Sequence, residues 1–231
     1  MRARTLFTAA LAVALVSLAT PARAQVHWDV GVQGGVMKRF LGDKPAGGDD
    51  AGFGPAAMLH AHLALYPLVR VGAYLGHDIS PLGGDGAARD ITSAGARVKI
   101  MSPWPRAPWR AWIFVGLGHT RVWARSYATT QSLPAAPGQP AVDRSVFVHG
   151  DAGGFFEVPL GMGVSYKFRK PWEMFWELGT RIGFGGAGPV YDEQPGRGRR
   201  LTSPGLPDAF ALPSGQDNFA IGLTMGLQLD L

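Results

Sequence analysis

Every second residue from Phe219 to Leu231 is apolar: Phe219, Ile221, Leu223, Met225, Leu227, Leu229 and Leu231. The positions between them, Asn218, Ala220, Gly222, Thr224, Gly226, Gln228 and Asp230, are small or polar. A period of two held this long is useless to a helix and predicts a strand with one greasy face. So long a strand needs both edges paired, and a closed barrel supplies that.

The same pattern recurs along the chain. Val26 to Phe40 alternates Val26, Trp28, Val30, Val32 and Val36 against His27, Asp29, Gln33 and Arg39. A second strand sets Ala57, Leu59, Ala61, Leu63 and Leu65 against Met58, His60, His62 and Tyr66, and a third sets Val69, Val71, Ala73 and Leu75 against Arg70, Gly72, Tyr74, Gly76 and Asp78. The fourth, Ile91 to Met101, puts Ala94, Ala96, Val98 and Ile100 opposite Ser93, Gly95, Arg97 and Lys99. The fifth runs from Trp109 to about Trp123. The sixth, Phe156 to Phe168, opposes its apolar residues to Glu157, Gly161, Gly163, Ser165 and Lys167, and the seventh, around Trp176 to Phe184, opposes Glu177, Gly179, Arg181 and Gly183. With the last segment the count is eight. Polar stretches at 41–53, 80–89, 125–154 and 186–217 read as loops, and 66–68, 102–108 and 169–173 as short turns. Long and short connections alternate strictly, which predicts an all-β, eight-stranded antiparallel up-and-down transmembrane barrel with both termini on the short-turn, periplasmic side.

Composition adjusts this picture in three places. Residues 1–24 carry Arg2 and Arg4, a short apolar run from Leu6 to Ala19, and Ala22-Arg23-Ala24, the pattern of a cleaved secretory signal, so 25–231 is read as the folded domain. Taking Arg2, Arg4 and Arg23 from 22 basic residues leaves 19 against 17 acidic ones, which gives nucleic acid no electrostatic footing. The chain has no cysteine, hence no disulfide framework and no thiolate metal site.

Which face meets the solvent decides between a membrane barrel and a soluble ligand carrier. The less apolar face carries Gly31, Gly72, Gly76, Gly95, Gly116, Gly118, Gly161, Gly163, Gly179, Gly183, Gly222 and Gly226. Glycine weakens a solvated strand and covers nothing; in a narrow lumen it makes room for larger neighbours. Trp28, Trp104, Trp109, Trp172 and Trp176, with Tyr66, Tyr166 and Phe168, fall at the short-turn ends, and Phe40, Phe53, Trp123, Tyr127 and Phe184 at the long-loop ends. Two aromatic belts bracketing apolar segments suit the interfaces of a bilayer.

With these features the mature chain resembles the small outer-membrane β-barrels of the OmpA/OmpW-like class. Locally, Thr224-Met225-Gly226-Leu227-Gln228-Leu229-Asp230-Leu231 is similar to the C-terminal signal read by the barrel-assembly machinery, through Thr224, Gly226, Leu229 and Leu231. Leu229 and Leu231 stand where that signal usually has aromatics. The resemblance implies residence in the bacterial outer membrane, contact with its lipid and lipopolysaccharide, and a monomer. It carries no activity and no cofactor.

A barrel of eight strands is just wide enough to be filled by side chains. The charges predicted to face inward are Asp29, Arg39, Arg70, Asp78, Arg97, Lys99, Glu157, Lys167, Glu177, Arg181 and Asp230. Unpaired charges cost several kcal/mol in such a space, so they are read as a plug of ion pairs, Glu177 or Glu157 with Arg97 or Arg181. The alternative is a narrow polar conduit for small or hydrophobic solutes, opened when those pairs exchange partners. His60 and His62 read as a hydrogen-bonded pair rather than a metal site, because a site wants three or four ligands. An enzyme acting on lipid A needs a nucleophile and an acid beside a base; His119 has only Leu117, Arg121 and Trp123 on its face. Arg197, Arg199 and Arg200 in the last loop form a basic run that can meet lipopolysaccharide phosphates or simply be solvated.

Overall fold

The computed structural model describes residues 27–41, 52–81, 88–103, 108–125, 127–134, 140–148, 152–187 and 217–231. Within them lie ten strands: β1 (Trp28–Leu41), β2 (Phe53–Tyr66), β3 (Val69–Pro81), β4 (Ala88–Met101), β5 (Trp109–Ala124), β6 (Tyr127–Pro134), β7 (Ala141–Val148), β8 (Ala152–Arg169), β9 (Trp172–Ala187) and β10 (Asp217–Asp230). Eight close into an antiparallel barrel in the order β1-β10-β9-β8-β5-β4-β3-β2. Every barrel neighbour follows its predecessor along the chain, with β6 and β7 inserted as a separate two-stranded sheet.

Closure is made by the first and last strands, paired from Asp29↔Asp230 to Phe40↔Phe219. Beyond the ladder, Trp28 N–H donates to the Leu231 carbonyl at 2.9 Å and Leu231 N–H returns to Trp28 at 2.8 Å. The apolar period of β10 therefore runs along a seam with two partners, β1 on one side and β9 on the other.

The greasy faces point outward. Val32, Ile113, Leu117 and Leu223 are each more than half exposed (53%, 57%, 56% and 56%), while Asp29, Arg97, Lys99, Glu157 and Glu177 are buried in the lumen. A soluble carrier places its apolar face inside; this barrel does the opposite. Aromatic rings mark both rims. At the short-turn end Trp109 packs 4.9 Å from Tyr166 and 6.2 Å from Trp176; at the long-loop end Phe156 stacks on Phe184 at 6.0 Å and Phe40 lies 5.8 Å from Phe219. Residues 1–26 and Trp104 lie outside the described residues.

Three boundaries differ from the sequence reading. The stretch 125–154, read as one polar loop, contains the β6–β7 hairpin, paired from Tyr127↔Val148 to Pro134↔Ala141. Strand β6 runs through Ala, Thr, Gln and Ser, and in β7 Asp143, Arg144 and Ser145 break up the apolar residues, so no sustained alternation marks them and backbone pairing reveals them. Strands β2, β3 and β4 also run further into loops 41–53 and 80–89 than their apolar residues do, because pairing continues where burial no longer selects side chains. Finally, the β8–β9 turn is Lys170-Pro171 alone, and Glu173 belongs to β9 with its side chain in the lumen.

The lumen glycines are sites of close approach. A Cβ on Gly118 would collide with the Tyr74 hydroxyl, and one on Gly163 would meet the Trp112 indole. On the outer face, a Cβ on Gly34 would meet only the Ala56 carbonyl at an ordinary 3.7 Å. Gly118→Val should therefore lower the urea stability of the detergent-folded barrel by about 1–3 kcal/mol, as overpacking does. Gly34→Ala should leave it unchanged or raise it slightly.

Candidate functional site: the charged lumen

Alternation places one residue in two of each barrel strand in the lumen, and the register stacks them into layers. At the short-turn end Arg110 bridges Glu173 and Asp230, the latter at 2.6 Å. Lys167 and Arg70 each reach Asp230 at 3.3 Å, while Gln228 and Ser165 donate to Glu173 at 2.8 and 3.0 Å. The next layer centres on Asp29, which accepts from Arg70 and pairs with His62, both at 2.6 Å, with the Lys99 ammonium at 3.8 Å.

Above it sits Glu177. Arg97 and Gln33 donate to one carboxylate oxygen, each at 3.1 Å, and the Trp112 indole N–H to the other at 3.2 Å. Arg97 also donates to His62 Nε2 at 2.8 Å, which joins this layer to the one below. Toward the long-loop end Glu157 takes Arg181 at 2.5 Å and the Tyr74 hydroxyl at 3.2 Å. Arg39 forms a bidentate pair with Asp78 at 2.7 and 2.8 Å, the planar fork matching the carboxylate. Arg89 closes this end, donating to Ser80 at 3.0 Å.

Between the Glu177 and Glu157 groups lies a gap bordered by Met37, Met58, Phe114, Pro159 and Thr224. Its free volume is ≈ 30 Å³, room for about one water. Arg97 stacks 5.2 Å over Phe114 and Arg181 lies 5.8 Å over Tyr74, so the cations are held by rings as well as carboxylates. Among the described residues the lumen is filled rather than open.

All eight residues singled out for the lumen are there: Arg70, Arg97, Lys99, Glu157, Glu177, Arg181, His60 and His62 are buried inside the barrel. Glu177 pairs with Arg97 and Glu157 with Arg181. The histidines differ from the sequence reading, since they do not bond each other. Their rings lie 4.9 Å apart; His62 is engaged by Asp29 and Arg97, whereas neither His60 nitrogen has a hydrogen-bond partner. Asp29, His60 and His62 could converge on a cation. The surroundings oppose one: Arg70 and His62 already occupy Asp29, Arg97 occupies the second nitrogen of His62, and Lys99 adds a third positive charge.

Arg110, Glu173, Arg89, Gln33 and Gln228 escape the sequence reading as partners in this network. Hydropathy alone leaves Glu173 in a turn and Arg89 in a loop. Arg110 is legible from the period of β5, one position before Ala111. Thr224 and Gly226 face the lumen while Leu229 and Leu231 are on the outward alternation, Leu231 at 58% exposure. Arg197, Arg199 and Arg200 lie outside the described residues.

On the outer wall His119 packs edge-on against Phe156 at 5.4 Å, with no hydroxyl nucleophile or carboxylate bonded to it among the described residues. The neighbouring His77 does hold a hydroxyl, Thr92 Oγ1 at 3.0 Å, but the carboxylate of Asp90 is engaged by Arg125 at 2.8 Å through both oxygens. The orienting acid of a hydrolytic triad is thus taken.

A closed, side-chain-filled, apolar-walled barrel of eight antiparallel strands is the fold of the small outer-membrane barrels. No family model and no curated relative matches the chain. Among solved structures it is similar to Neisserial surface protein A, at 11% identity over 88% of this chain and 97% of that one, TM-score 0.52. It is equally similar to a major outer membrane protein from Thermus thermophilus, at 13% identity over 90% and 100%, TM-score 0.52. At these identities the likeness is one of fold.

The layered network makes a prediction about Glu177. Replacing it with Leu leaves Arg97 without its carboxylate and Lys99 with Asp29 alone, and should cost about 3–5 kcal/mol of stability in urea. Adding Arg97→Met to Glu177→Leu should recover part of that loss, and a double-mutant cycle of detergent-refolding free energies measures the coupling.

Proposed function

We propose that the chain is an integral protein of the bacterial outer membrane, a sealed barrel whose role is structural or surface-interacting through the segments at its long-loop end. The carrying observation is the reversed polarity: an apolar wall around a lumen of paired charges. Soluble monomers rarely expose apolar patches beyond a few hundred Å², and this wall is apolar on all eight strands. Lipid is the solvent in which such a wall costs nothing and closure of the sheet is required. The segment 1–24 then serves as the export signal and both termini lie in the periplasm. Thr224, Gly226, Leu229 and Leu231 serve as the signal for the barrel-assembly machinery.

A second reading, a narrow conduit for small or hydrophobic solutes, draws on one observation. The gap bordered by Met37, Met58 and Phe114 lies between the Glu177–Arg97 and Glu157–Arg181 pairs, so exchange of those pairs would join it to both ends.

Two measurements separate these readings. The detergent-folded protein should migrate differently on a gel before and after boiling and stay insoluble without detergent; a chain soluble in buffer with unchanged mobility refutes the membrane role. In planar bilayers the wild type should show no stepwise conductance, and discrete openings abolished by reversing Glu177 and Arg97 would establish the conduit instead.

A further inference from the structure

The outer wall is apolar except in one sector. Toward the long-loop ends of β3, β4 and β5 the outward positions become His77, Thr92 and Arg121, which stand directly opposite one another, His77↔Thr92 and Thr92↔Arg121. His77 Nδ1 is 3.0 Å from the Thr92 hydroxyl. One rung nearer the loops Asp90 is neutralised by Arg125. Arg121 therefore has no carboxylate partner among the described residues; its guanidinium lies 6.0 Å over the Trp123 ring. Its register partner on β8 is Gly154, which has no side chain to cover it. Below Arg121 on the same strand His119 packs edge-on against Phe156; elsewhere Lys38 on β1 lies over Phe40, and the Thr180 hydroxyl on β9 donates to the Leu160 carbonyl.

The height of this row matters. From Trp109 to Arg121, at about 3.3 Å per residue and a tilt of roughly 40°, β5 climbs about 30 Å, just past an apolar band of about 25 Å. Arg121 thus reaches the headgroup level, with Leu75, Leu117 and Phe156 exposed on the wall below it.

We propose that His77, Thr92 and Arg121 form a docking site for the phosphate of an anionic glycolipid of the outer leaflet. The Arg121 fork takes two phosphate oxygens. The Thr92 hydroxyl donates to His77 Nδ1, which turns the His77 Nε2–H outward as a further donor. The apolar wall beneath receives the acyl chains. A free anion would use the cation alone, whereas a guanidinium with no carboxylate partner among the described residues, set beside an apolar wall, selects an amphiphile. The proposal rests on the membrane reading above and names the lipid partner of its outer rim.

The test uses the full chain folded in detergent micelles, titrated with diphosphoryl lipid A, with dephosphorylated lipid A and with inorganic phosphate. Wild type should prefer the phosphorylated lipid about tenfold. Arg121→Gln should erase that preference without changing binding of the dephosphorylated form, Arg121→Lys should retain part of it, and His77→Gln should weaken it. Inorganic phosphate at equal concentration should not compete. The site is overturned if Arg121→Gln, in a barrel that keeps its heat-modifiable mobility, binds both lipids as wild type does, or if inorganic phosphate competes as well as the lipid. If the wild type itself is soluble in buffer and shows no mobility shift, the membrane reading has failed and this site with it.

Discussion

Everything in this molecule depends on the seam between β1 and β10. An open sheet leaves a row of unpaired N–H and C=O groups, each costing several kcal/mol where water is absent. Thirteen paired positions from Asp29↔Asp230 to Leu41↔Asp217 remove that edge. Once the seam is closed, the period of two along every strand becomes an inside and an outside. The apolar wall and the charged lumen are two consequences of a single backbone constraint.

A lumen this narrow must be filled, and its filling is polar because the outer wall has taken the apolar set. The chain meets the desolvation cost in layers, and Asp78 takes the Arg39 fork through both of its oxygens. Asp29, Glu173, Glu177, Glu157 and Asp230 each meet two or more donors or cations. Glycines such as Gly118 and Gly163 allow Tyr74 and Trp112 to lie over the neighbouring strands and carry their bonds to Glu157 and Glu177. Among the described residues the interior is thereby a packed core made of ions and rings, with a small gap beside Met37, Met58 and Phe114.

Such a core leaves the ends and the wall for function. The β6–β7 hairpin continues between β5 and β8 beyond the barrel ladder, and the His77–Thr92–Arg121 row interrupts an otherwise greasy surface at the same end. In the proposed orientation both lie on the outer-leaflet side. The proposed roles therefore concern that end of the molecule.

Much of this is legible in the residues alone. The alternation of β10, the glycines on one face and the aromatic clusters at strand ends determine eight barrel strands and which side chains face inward, because a period of two has only two faces to assign. What alternation cannot supply is stagger: Arg97 meets Glu177 rather than Glu157 because of the registers of β4, β8 and β9 with the strands between them. Nor does it find the short strands β6 and β7, where apolar residues are too few to hold the period, or assign Glu173 and Arg89 to a lumen they enter beyond the apolar zone. His60 and His62 look alike in sequence, yet only His62 finds Asp29 and Arg97 within bonding distance. The outward row of His77, Thr92 and Arg121 is spread over three strands and 45 positions of chain, so nothing local in the sequence announces it. Period decides face; closure and shear decide partners.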